Sequence, residues 1–199
     1  MNIGVKRRTV KIFEYNPEWE NEYLKEKTAL EYALKNYNIE IQHVGSTSIV
    51  GCKAKPIIDI AIGVPNLEYG KQLIPILQKM GYYYDGRNDF GVRYFLKKCE
   101  NDIETYFIHI EDTNSRIWQH HILFRDYMNF NPEEVMKYSD LKENLAQNFG
   151  NDRKSYTKAK ETYIEKIIDK AFKKFNVKPV GEKYFMWFLE RKFIYENRS

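Results

Sequence analysis

Cysteine is scarce: Cys52 and Cys99 are the only two in 199 residues. Two isolated cysteines exclude a disulfide framework and supply no C-x-x-C pair for zinc, so the chain reads as a protein of a reducing interior. Long apolar runs are missing as well. The longest uncharged apolar stretch, Ile60–Pro65, falls far short of the roughly 20 residues that span a bilayer, and the opening MNIGVKRRTVKIFEY lacks the apolar centre of a secretory signal. The expectation is a cytoplasmic protein that does not enter a membrane. Arginine is outnumbered, 9 against 23 lysines at a net charge of +4, and the lysines are spread along the chain rather than gathered in one block. Such a surface tolerates a phosphate-bearing ligand but gives no reason to expect nucleic acid as a partner. Internal repeats and low-complexity segments are also lacking.

What is present is enough apolar material, 43% hydrophobic and 16% aromatic, to bury the core of one domain with helical additions. The stretch at 41–64, IQHVGSTSIVGCKAKPIIDIAIGV, carries the strongest chemical signal. A carboxylate inside the apolar run IIDIAIGV must be paired or used, since an uncompensated buried charge is costly. Strand alternation puts Ile58, Ile60, Ile62 and Val64 on one face and Ile57, Asp59, Ala61 and Gly63 on the other. The small residues after Asp59 leave room for a ligand or a helix backbone. Upstream, Gly45, Ser46, Thr47 and Ser48 form a strand-to-loop junction whose backbone N–H groups either receive an anion or simply make a capped turn.

Elsewhere the patterns predict an extended arm or strand at 10–15, a helix from Pro17 through Asn36, and a strand from Asn38 to Val44. A helix over Leu67–Met80 should kink or break at Pro75 and close at Gly81. Residues 82–111 read as a strand, a DGRND turn, and a hairpin joined by four or five residues. Helices follow at 117–127, 133–149 and 156–175, with a further aromatic helix after Pro179 and Gly181. The fold class is α+β, a small mixed sheet with helices on one side.

The segment HVGSTSIVGCKAKPIIDI resembles the signature of the GrpB-like proteins of the nucleotidyltransferase superfamily, whose catalytic fold is that of DNA polymerase β. YNPEW, FIHI, IWQHHILFRDY and SYTKAKETYIEKII extend the resemblance over about residues 10–172. It implies a domain over 1–175, with its sheet core at about 38–111 and a helical part at about 115–175; residues 176–199 lie beyond the resemblance as an extension, whose aromatic helix exposes apolar surface for a homodimer contact. It implies a nucleoside triphosphate held by Gly45 and Ser46, magnesium on Asp59, and a nucleotidyl group passed to an unknown acceptor. The superfamily's second carboxylate lies two residues after the first, where this chain has Ala61, so a binding module without turnover is the alternative. For the third position, on the hairpin strand, alternation allows either His109 or Glu104 unless a bulge intervenes. His109 is favoured because it lies in FIHI, and Glu104 is the alternative metal ligand. Lys55 and Arg93 are candidate phosphate contacts. His43, His121, Arg125 and Asp126 are candidate supporting residues, each with an ordinary structural alternative as a satisfied histidine or a helix-end ion pair.

Overall fold

The computed structural model describes residues 3–88 and 92–180, without the side chains of Arg87 and Asn88. Six strands make one sheet: β1 (Val5–Lys6), β2 (Glu40–Val44), β3 (Ile58–Val64), β4 (Tyr82–Asn88), β5 (Arg93–Glu100) and β6 (Ile103–Asp112). The order is β2-β3-β6-β5-β4, and β1 pairs with the start of β6. Only β3 and β6 run parallel; they set Asp59 beside Phe107, Ala61 beside His109 and Gly63 beside Glu111.

Alternation gives the sheet two unlike faces. Ile58, Ile60, Ile62, Val64, Tyr106, Ile108 and Ile110 form the main core with α1 (Glu18–Ala33), α2 (Leu67–Lys71) and α3 (Ile74–Lys79). The opposite face is covered in part by α4 (Arg116–Asn129), and a second apolar cluster joins α4 to α5 (Pro132–Phe149) and α7 (Glu161–Phe175). Helices therefore lie on both faces, correcting the expectation of one. The room predicted above the small residues of β3 goes to a helix side chain: a Cβ at Gly63 would stand 2.8 Å from the Trp118 ring, and Trp118 packs on Ala61 and Val44.

Local chemistry explains most boundaries. Asn16 accepts from the Glu18 N–H at the entry to α1, and Asn66 accepts from the Tyr69 N–H to start α2. The expected break in the 67–80 helix occurs, with Pro75 in the first turn of α3, where its missing N–H leaves no bond unmade. The 156–175 helix instead divides at Lys160 into α6 (Arg153–Ala159) and α7. The arm at 10–15 makes a single bridge, Phe13 to Ala54, while the first strand lies earlier, at 5–6.

Two turn expectations are corrected. Asp85 and Gly86 of DGRND lie inside β4, where Gly86 at φ 97° accommodates a register shift between Tyr84 and Arg87. The β5–β6 hairpin closes with only Asn101 and Asp102, both left-handed at φ 50° and 65°, as a two-residue hairpin turn requires. No helix among the described residues is long and apolar enough to cross a membrane. The expected C-terminal helix and its homodimer contact fall at 181–199, outside the described residues.

Candidate functional site

The face of the sheet that carries Asp59 mixes buried polar residues, Glu104, His109 and Glu111, with the apolar Ile57, Phe95 and Phe107. His109 is the neighbour of Ala61 on the adjacent strand, and its Nε2–H donates to Asp59 Oδ1 at 3.0 Å. Burial pushes the Asp59 carboxyl up, but the His109 hydrogen bond and the nearby Lys55 outweigh it, so Asp59 stays ionised. Burial and the Arg93 charge hold the His109 imidazole below its usual value despite Asp59. His109 Nδ1 is buried without a hydrogen-bond partner.

Two residues beyond His109, Glu111 is fully enclosed, a residue the sequence reading did not single out. Its Oε2 meets His121 Nδ1 at 3.1 Å and its Oε1 lies 3.6 Å from Arg93 Nη1. Burial raises the Glu111 carboxyl, and His121, His109 and Arg93 together bring it below its ordinary value. The only prior signal was an acid at the parity of His109 in FIHIED, readable once FIHI faces inward.

Beside Asp59 opens a cavity of about 460 Å³. Ser46, Thr47, Asp59 and Glu104 line it together with Ile57, Phe95, Phe107 and Tyr156. Its other walls are basic: Arg7 and Arg8 from the N-terminal arm, Lys55 before β3, Lys97 on β5, Lys142 on α5, and Arg153 and Lys160 from α6 and its end. Seven basic side chains face two carboxylates, a local excess larger than the +4 of the entire chain. Arg153 is paired with Glu104, and Lys97 with Asp85. Lys142 gives its ammonium to Cys52 Sγ at 3.0 Å and to the Lys53 carbonyl. Arg7, Arg8, Lys55 and Lys160 have no acidic partner within salt-bridge distance among the described residues. Burial, then the neighbouring Arg153 and Lys160 charges, bring Lys55 down to about 7, and burial with Lys142 brings Lys160 down to about 8. The two ammonium groups lie 5.7 and 4.5 Å from the centre of the Tyr156 ring.

The turn that opens onto this cavity is built for close approach. Gly45 has φ 71°, and a Cβ there would stand 2.6 Å from Asp59 Oδ2. Ser46–Ser48 form one 3₁₀ turn, with Ser48 Oγ donating back to the Gly45 carbonyl at 2.7 Å. His43 lies on the core face, 2.9 Å from Glu20 and 3.1 Å from Thr47, so it braces the turn from behind. Arg125 bonds Asp126, Gln42 and the His43 carbonyl, pinning α4 to β2. Neither Arg125 nor Asp126 lines the cavity, and Arg93 and His121 belong to the Glu111 cluster.

The bulge that would let Glu104 and His109 share one face is present in β6, and of the two Glu104 lines the cavity. The pairing passes from Lys98–Tyr106 to Cys99–Glu104, so Thr105 is the extra residue and Glu104 returns to the face of Phe107 and His109. Both residues are therefore on the site face, but Glu104 is committed to Arg153.

These donors do not fit a magnesium centre of the two-carboxylate kind. Hard cations need several oxygen ligands. Ala61 supplies none, Asp59 Oδ1 is taken by His109, and Glu104 is held by a guanidinium. No group of three or more His, Cys, Asp or Glu side chains among the described residues is placed to hold a metal.

A family model described as GrpB protein matches residues 9–170. The glutamate-rich protein GrpB of Alkalihalophilus pseudofirmus is 36% identical over 171 residues, covering 84% of this chain and 98% of that one. The crystal structure of conserved protein GrpB from Enterococcus faecalis superposes with a TM-score of 0.76 at 32% identity, over 83% of this chain and 99% of that one. The Cid1 poly(U) polymerase, in a structure with MgGTP bound, aligns at a TM-score of 0.50 and 13% identity over 68% of this chain and 44% of that one. The last likeness is one of fold.

Proposed function

Because the chain belongs to the GrpB family and has a nucleotidyltransferase-like fold, we propose that the cavity beside Asp59 binds a nucleoside triphosphate. The observation that carries this reading is the wall of seven basic side chains beside the Gly45–Ser46 turn. A phosphate chain laid along that wall gives Arg7, Arg8, Lys55 and Lys160 an anionic partner that the described residues do not supply. Phe95, Phe107 and Ile57 offer an apolar side for the base or sugar. Asp59 holds the imidazole of His109 and, through the close approach to Gly45, fixes the turn.

Binding without turnover is the better supported reading, since Ala61 and the engaged oxygens of Asp59 and Glu104 leave too few ligands for metal-assisted transfer. Transfer to an acceptor retains one observation in its favour, an ionised Asp59 whose side chain is 28% exposed and lines the cavity. Calorimetric titration with each of the four common triphosphates should give saturable heat that Lys55→Gln weakens about tenfold. No heat with any of them, or unchanged affinity in the variant, sinks the binding reading. Sustained pyrophosphate release abolished by Asp59→Asn replaces the module with a transferase.

A further inference from the structure

Resting on the reading that the cavity takes a phosphate chain, we propose that this protein binds the polyphosphate as the free anion, with basic side chains in the place that a nucleotidyltransferase-like fold ordinarily gives to magnesium. Three features of the chain converge on this. At position 61 the methyl group of Ala61 replaces an oxygen ligand and is packed by Trp118, while His109, its neighbour across the parallel register, takes Asp59 Oδ1. The other carboxylate in the cavity, Glu104, is bound by Arg153. Around them the charge is positive: Lys55 and Lys160 lie close enough to Asp59 to interact with it electrostatically, and Arg7 and Arg8 line the same cavity.

The physical consequence is a preference between two forms of one ligand. Magnesium on a triphosphate cancels part of its negative charge and occupies oxygens that the lysines would otherwise bond. It also brings a divalent cation against Lys55 and Lys160 in a partly desolvated site, where like charges repel more strongly than in water. A site that neutralises phosphate with flexible ammonium groups has no need of octahedral geometry.

The experiment is calorimetry of the full chain with ATP and with inorganic tripolyphosphate, each in EDTA and in saturating magnesium. The expected result is binding in EDTA about tenfold tighter than in magnesium, and about tenfold weaker in Lys160→Gln than in wild type. Binding that requires magnesium, or that is weaker in EDTA, overturns the inference while leaving the nucleotide reading standing. Tripolyphosphate binding in EDTA without ATP binding does the reverse. Absence of binding by either probe in both conditions overturns both. Circular dichroism of Lys160→Gln checks that its fold is intact; an intact variant that binds as wild type does in EDTA removes the lysines from the argument and overturns the inference.

Discussion

Lys142 is 1% exposed, and its ammonium meets a thiol and a carbonyl rather than a carboxylate. Burial holds it below the usual lysine range, with Cys52 opposing, so the folded state pays for keeping it charged. Replacing buried charged groups by apolar residues of similar volume is often neutral or stabilising, and here no partner charge is left behind. Lys142→Met should raise stability by about 1–2 kcal/mol, seen as a Tm higher by roughly 2–8 °C in a thermal melt, while anion binding weakens. Lys55 and Lys160 carry the same logic into pH. Their folded values of about 7 and about 8 lie below the ordinary 10.5, so the unfolded chain binds more protons in that interval and ligand-free stability rises with pH there. Compared with a Lys55→Met, Lys160→Met double variant, the wild type should gain stability between pH 7 and pH 10. An anion prefers both ammonium groups charged, so affinity should run the other way: highest near pH 6 and falling as pH rises through 7 and 8. Titrations in buffers of different ionisation enthalpy should show proton uptake on binding.

At the scale of elements, the 3₁₀ turn after β2 and the bulge in β6 decide what the sheet presents. Gly45→Ala combines a left-handed φ of 71° with a 2.6 Å approach to Asp59. It should destabilise by about 2–4 kcal/mol in urea denaturation and displace Asp59 from His109. The sequence made part of this legible. The period-two pattern of β3 put Asp59 opposite the core, and HVGST marked the turn, because local patterns carry local geometry. The bulge at Thr105 left no such mark: TYF has no glycine or proline, and the extra residue shows only in the pairing with β5. The two-residue hairpin was hidden differently, since Asn101-Asp102 tolerates left-handed backbone but is a weaker signal than Asn-Gly. Gly86 looked like a turn when it was a bulge, because glycine reports a positive φ and not the topology around it.

For the whole molecule, the basic cavity was the feature least visible in the sequence. Its charges come from Arg7 to Lys160 and from five separate parts of the fold, so each looked like one solvated residue among many. Long-range packing gathered them. Arg8→Gln should therefore weaken anion binding about as much as Lys160→Gln, although 152 positions separate them in the chain. Added salt should weaken binding in wild type more steeply than in either variant. The Glu111 cluster is also a product of the tertiary fold, joining β5, β6 and α4. Glu111→Gln should lower stability by about 2–4 kcal/mol by leaving Arg93 and His121 without their shared carboxylate, measurable by chemical denaturation.

The N-terminal arm and α6 bring their charges to a common space, which gives an occupant of the cavity a mechanical role. A polyanion there is a detachable cross-link that closes a loop running nearly from Arg7 to Lys160. Its effect belongs to the kinetics of opening as much as to affinity: the arm and α6 should exchange backbone hydrogens more slowly with tripolyphosphate present, while α2 and α3, on the far face, keep their rates.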